Sequence, residues 1–185
     1  FDDFRQRYRW VIKGIDYLKE GMKYNEREAL LPSTIGWFLG QKMGRSDEKK
    51  QFRKMFKEDD DFHGSRPMAE RDSWLVSRQW HMLADEMVDR GAVMRRQPPL
   101  LYRSHAPMCL MNYADNVEKD GIFGEVAKRA WAAAAAGWER YGQLELPSVF
   151  VEICRLGEKE YYEQLAARLR PELEALAPGA REKIA

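Results

Sequence analysis

Cysteine and histidine are both scarce in this chain of 185 residues. The cysteines number two, Cys109 and Cys154, and the histidines three, His63, His81 and His105. Two distant thiols without a CxxC spacing supply neither a disulfide scaffold nor a zinc site, and a reducing compartment is the expectation that follows. The histidines show no HxxxH or HExxH spacing. No GxSxG elbow, P-loop or dinucleotide fingerprint occurs. There is no apolar run of about 18 residues, so no segment reads as a membrane span. Charge of one sign is also missing: 31 Lys+Arg stand against 30 Asp+Glu, a net charge of +1. The global charge therefore gives no argument for nucleic acid or anionic lipid. What is present is a hydrophobic content of 44% with 12% aromatics. That is too rich for disorder and reads as a soluble, globular chain.

Helical periodicity dominates. Trp10, Val11, Ile15, Leu18 and Met22 recur at spacings of three and four, predicting a helix over 8–24 with one apolar face. Pro32 and Ser33 open a second, 31–43, with Ile35, Phe38, Leu39 and Met43 inward. Gly44 to Asp47 reads as a C-cap and a fresh N-cap before a third helix, 47–58. Asp59 to Arg71 is a polar break. A long helix over 72–91 follows, then a loop over 92–106 signalled by Gln97-Pro98-Pro99. Helices are expected over 107–119 and 123–141; in the latter, Trp131 and Trp138 flank five alanines, and their seven-residue spacing puts both indoles on one side. Pro147 to Ile153 reads as an extended linker and 157–176 as a last amphipathic helix through Tyr161, Leu165, Leu169 and Leu173. The fold class predicted is all-α, about seven helices and no sheet. The expected organisation is a helical unit over 1–62, a linker loop over 63–71, a second helical unit over 72–142, and a linker with a C-terminal helix packed on the array over 143–185. Phe1 stands inside a charged helical pattern rather than at a Met, so the chain is expected to be a piece of a longer protein.

Helix, helix, Gly turn, helix occurs twice, with Trp10 and Trp74 opening corresponding helices and Gly44 and Gly121 at corresponding turns. At these residues the chain resembles the tetratricopeptide family, whose repeat is a helix pair of about 34 residues. Gly14, Leu18 and Gly21 match the small–large–small rhythm of that family's second helix. Asn25-Glu26 stands where the family has Asp-Pro. Ile35-Gly36 matches its Leu-Gly pair, Leu39 its Tyr position and Phe52 its aromatic position. Gly44 comes one residue late and Met55 replaces an Ala. Ala114, Val117, Gly121, Phe123 and Ala130 fit the second unit. This resemblance implies antiparallel helix pairs stacked as a short α-solenoid that works by recognition. The runs Lys23 to Glu28, Gly36 to Glu48, Met55 to His63, Arg71 to Val76 and Gly124 to Trp131 are similar to segments of large membrane-anchored proteins of planctomycete bacteria. That second resemblance implies a membrane-tethered parent, with the membrane reached only through a region outside this chain, and supplies no catalytic residues.

Three chemistries are weighed on the residues. Asp59, Asp61 and His63, with Gly64, form the densest ligand cluster, which a metal-dependent enzyme would use; a solvated helix end is the plainer reading. Lys49, Lys50, Arg53, Lys54 and Lys57 place five positive charges on one helix, the alternative site for nucleic acid or an anionic surface, although the triple Asp that follows weakens its field. Arg95, Arg96 and Arg103 gather further cations around the Pro-Pro loop. Cys109 lies four residues from His105, close enough to pair on a helix, yet among Met108, Leu110 and Met111 it reads as a buried, inert thiol. In a tetratricopeptide-like array Trp37 and Gln41, with Met111, Asp115 and Lys119, would line the concave face and bind a protein partner. The expectation is a non-catalytic scaffold for a protein partner and for other segments of its own parent chain, with no cofactor, no metal and no nucleic acid favoured.

Overall fold

The computed structural model describes residues 3–92, 98–144, 160 and 163–168. The chain divides into two compact units, Phe1–Gln143 and Leu144–Ala185. Both expected helical units thus lie inside the first. In the second, Glu160 and residues 163–168 are helical. The expected linker at Pro147–Ile153, Cys154, and Tyr161, Leu169 and Leu173 lie outside the described residues, as do Arg95 and Arg96.

The first unit is all-helical, and no β-strand occurs among the described residues. Its α-helices are α1 (Phe4–Met22), α2 (Leu30–Trp37), α3 (Lys49–Glu58), α4 (Asp60–His63), α5 (Ser73–Asp89), α6 (Pro99–Lys119) and α7 (Glu125–Gly142). A π-helical turn, Phe38–Met43, prolongs α2, and a 3₁₀ turn, Met68–Glu70, precedes α5. Aspartates start three of these helices. Asp3 accepts from Arg5 N at 2.9 Å, Asp59 from Phe62 N at 3.0 Å and Asp72 from Trp74 N at 2.8 Å, each satisfying an amide that the helix leaves free. Glycine ends two. Gly91 and Gly121 take φ of 79° and 78°, which side chains resist, and the next amide reaches back to Met87 O at 2.9 Å and Val117 O at 3.0 Å.

The helices pack in series: α1 on α2, α2 on α5, α5 on α6 and α6 on α7, with α3 closing against α1 and the π turn. The main core holds Tyr8, Ile15, Ile35, Leu39, Met43, Phe52, Phe56 and Val76. Ala29, Ala84 and Tyr102 make a smaller one. α7 meets α6 through small residues, Ala127, Ala130, Ala134 and Gly137. Trp131 on that helix is left 38% exposed.

Three features differ from the sequence reading. The expected loop over 92–106 is helical from Pro99 onward. Pro99 sits in the first turn, where its missing N–H costs nothing. Pro107 is an interior residue of α6, held against Gly137 of α7. The expected linker over 63–71 contains the end of α4 and the 3₁₀ turn. Trp10, placed on the inner face by periodicity, is 60% exposed, whereas Trp74 is 1% exposed. The two do not occupy equivalent environments.

Trp74 lies where α5 crosses the end of α2. A Cβ added at Gly40 would come within 2.6 Å of its indole, and one at Gly44 also within 2.6 Å; at Gly36 it would meet the His81 ring at 2.8 Å. Gly40→Ala is therefore expected to destabilise by about 1–3 kcal/mol, because neither the fully buried indole nor the backbone can yield. Gly14→Ala, in α1 with nothing within 4 Å of the new methyl, should stabilise by about 0.5–1 kcal/mol. Urea unfolding of both variants checks the opposite signs.

Candidate functional site

α5 and α6 meet along a polar seam that carries three rungs. Ser77 faces Cys109, His81 faces His105, and Asp85 faces Arg103. Along α5 the rungs advance by four residues each, and along α6 they fall back by four and then by two, so the helices are antiparallel; Ser77, His81 and Asp85 share one face of α5, as Cys109 and His105 share one of α6. Ser77 Oγ donates to Gly36 O at 2.7 Å. With that hydrogen committed, the Cys109 thiol is the donor in its 3.3 Å contact with Ser77 Oγ. The two imidazole rings lie 4.4 Å apart at 35°, and neither Nδ1 has a hydrogen-bond partner. Arg103 is 3.6 Å from Asp85 and 2.8 Å from Asp89, at the open end of the seam.

Burial decides the protonation of these groups. It lowers His81 to about 3, with His105 adding to the effect, and it lowers His105 as well. Both imidazoles are neutral near pH 7. Burial pushes the Cys109 thiol up to about 11, only partly offset by Ser77 and Arg78. A protonated, buried thiol is a poor nucleophile. The i, i+4 approach of Cys109 to His105 thus resolves into contacts across the seam, Cys109 with Ser77 and His105 with His81. The seam fixes which faces of α5 and α6 meet.

The Asp59–His63 cluster is spent on structure. Asp59 caps α4 and accepts from Tyr8 OH at 2.6 Å. Asp60 pairs with Arg71 at 2.6 Å. His63 is buried, with Nε2 against Phe56 O at 2.7 Å and its ring against Phe56 and Phe62. Asp61 points to solvent. Among the described residues no three His, Cys, Asp or Glu side chains converge on a metal-sized site.

The basic helix lines a groove of about 510 Å³. Its walls are Lys50, Arg53, Lys54 and Lys57 from α3, Arg71 and Asp72 at the start of α5, and Lys119 and Asp120 at the end of α6. Arg53 is the groove's fixed point. Its guanidinium donates to both Asp120 oxygens, at 3.1 and 2.6 Å, and lies 3.5 Å from Asp72. Lys119 pairs with Asp115 at 2.7 Å. Lys50, Lys54 and Lys57 have no ionic partner among the described residues. Lys49 is partly buried outside the groove lining.

Of the residues expected on a concave face, Trp37 is 46% and Met111 38% exposed. Trp37 makes an edge contact with Phe38, with Lys42 Nζ 5.9 Å from its ring centre. Gln41 is partly buried in the π turn. Asp115 and Lys119 are bound to each other, and Lys119 alone of the five reaches the basic groove. The row that sequence reasoning missed lies on α1 and in the turn that follows it. Trp10, Tyr17 and Tyr24 are 60%, 80% and 79% exposed, seven residues apart. Their period is the signal that could have found them, since it runs beside the Val11–Ile15–Leu18–Met22 stripe rather than within it.

The seam makes stability depend on pH. A histidine whose folded pKa is lowered from 6.5 toward 3 binds fewer protons folded than unfolded between those values, so stability falls as pH drops through that window. The wild type should lose up to about 1.4 kcal/mol per pH unit through His81 between pH 6 and 4. His81→Gln should flatten the profile over that range, measured by urea unfolding at stepped pH; an unchanged slope would mean that His81 is not the titrating group.

No family model matches the chain, and no curated protein or solved structure matches it either.

Proposed function

We propose that this domain is a non-catalytic helical interaction module, a tetratricopeptide-like scaffold within a larger, membrane-tethered bacterial protein. The observation that carries the reading is the exposed aromatic series of Trp10 and Tyr17 on α1 and Tyr24 in the turn just after it. Trp10 and Tyr17 stand about 10 Å apart along the helix at 1.5 Å per residue. Large aromatics held on a rigid helix and at its end, facing water, supply contact area at little entropic cost, and such groups mark interaction surfaces. The serial packing of α1, α2, α5, α6 and α7 supports a solenoid-like arrangement. A buried thiol held protonated is a poor nucleophile, which favours a binding role over thiol chemistry.

Affinity capture with crosslinking from native lysate tests this reading. A protein enriched by the wild type should be lost with Trp10→Ala/Tyr17→Ala/Tyr24→Ala, whose melting point should stay within a few degrees because all three side chains are largely exposed. Retention of that protein by the triple variant would remove α1 from the site. Loss with Trp37→Ala alone would move recognition to α2.

A further inference from the structure

The groove between α3 and the facing ends of α5 and α6 has a charge arrangement that specifies an occupant. Arg53 is neutralised by Asp72 and Asp120. The charge left over belongs to Lys50, Lys54 and Lys57, which stand at i, i+4 and i+7 on α3 and so share one face. Along the helix axis they are about 6 and 4.5 Å apart. Carboxylates at the same helical spacing on a facing helix would meet them one for one. A nucleic-acid backbone fits less well. The groove lining contains no aromatic side chain on which a base could stack.

We infer that this groove receives an acidic helical segment of a partner, with carboxylates at i, i+4 and i+7 laid along Lys50, Lys54 and Lys57. The inference rests on the reading of the domain as an interaction module but uses a different surface from the α1 row, so the two can fail separately. The segment reads charge spacing, and the rigid Arg53 clamp keeps α3 in register with the ends of α5 and α6 while it binds. Binding of this kind weakens with salt and turns on the order of charges as well as their number.

The test uses a fluorescein-labelled, end-capped, alanine-rich peptide of about 20 residues with Glu at the three positions, followed by anisotropy against the whole chain. Three comparisons accompany it: a peptide of identical composition with the Glu residues scrambled, an oligothymidylate of similar length, and the same titrations at low and high salt. The expected result is saturable binding of the patterned peptide, weakened about tenfold or more by Lys50→Glu/Lys54→Glu/Lys57→Glu and by high salt. Lys128→Glu/Arg129→Glu/Arg140→Glu on α7 makes the same change in net charge and should leave binding intact. Trp10→Ala/Tyr17→Ala/Tyr24→Ala should bind the peptide as wild type does, whatever that variant does in capture. Circular dichroism confirms that each variant is folded. Equal binding of the scrambled peptide, equal loss in the α7 variant, tighter binding of the oligothymidylate or no peptide binding would each overturn the inference.

Discussion

The close crossing of α5 over the end of α2 is the constraint on which the rest of the first unit depends. Trp74 presses its indole onto Gly40 and Gly44, and His81 lies over Gly36. Three glycines spaced by four make a flat strip on one side of α2 and its π turn, and an aromatic plane can lie against the backbone only where no Cβ intervenes. The switch to π-helical bonding at Phe38–Met43 falls within this strip. Once α5 is seated, Ser77 reaches the Gly36 carbonyl. Ser77 and His81, which touch α2, also meet Cys109 and His105 of α6, so the depth of the first contact sets the position of the polar seam.

That seam is an unusual interior for a helical domain. Apolar rungs would be stickier but would tolerate sliding, whereas a thiol–hydroxyl contact, a ring stack and an ion pair each suit one neighbour. The central rung is also costly, because two imidazoles with unpartnered Nδ1 atoms are held out of water. Neutrality keeps the cost tolerable. Burial holds both rings in the uncharged form, and the one charged pair, Asp85 with Arg103, sits at the open end, where Asp89 also reaches the arginine.

Much of the fold was legible because helices announce themselves by period and by caps. The inner stripes of α1, α2, α3 and α5 follow the 3.6-residue repeat, and the Asp–Gly punctuation falls where helices begin and end. The failures are physical as well. Pro98-Pro99 is a turn signal and a helix-start signal at once, and only tertiary support from α7 shows that Pro107 can remain inside α6. Trp10 stands one position from the core stripe, close enough in spacing to be read as part of the apolar face although it faces water. The Asp59–His63 run looked like a ligand set because composition cannot show that Tyr8, Arg71 and the Phe56 carbonyl already hold its members. Gly36 and Gly40 stand four residues apart, and close approach is what that spacing provides in any environment. The groove was half legible. Its lysines were visible on α3, but Arg71, Asp72, Lys119 and Asp120 come from distant sequence and could be placed only by the fold.

Interior and surface are joined through Arg53. Asp72 serves two masters: its Oδ1 caps α5 immediately before Trp74, and its Oδ2 lies 3.5 Å from the Arg53 guanidinium. Asp120, the residue that ends α6, takes the other side of the same guanidinium. One arginine on α3 thereby ties the start of α5 to the end of α6, just beyond the seam between them. Because that arginine consumes both carboxylates of the groove, the neighbouring lysines on its helix remain unpaired. The groove's positive charge is therefore a consequence of how the helices are locked together: a substitution that loosens the lock would free Asp72 and Asp120 to pair with those lysines, erasing the patch without touching any of them.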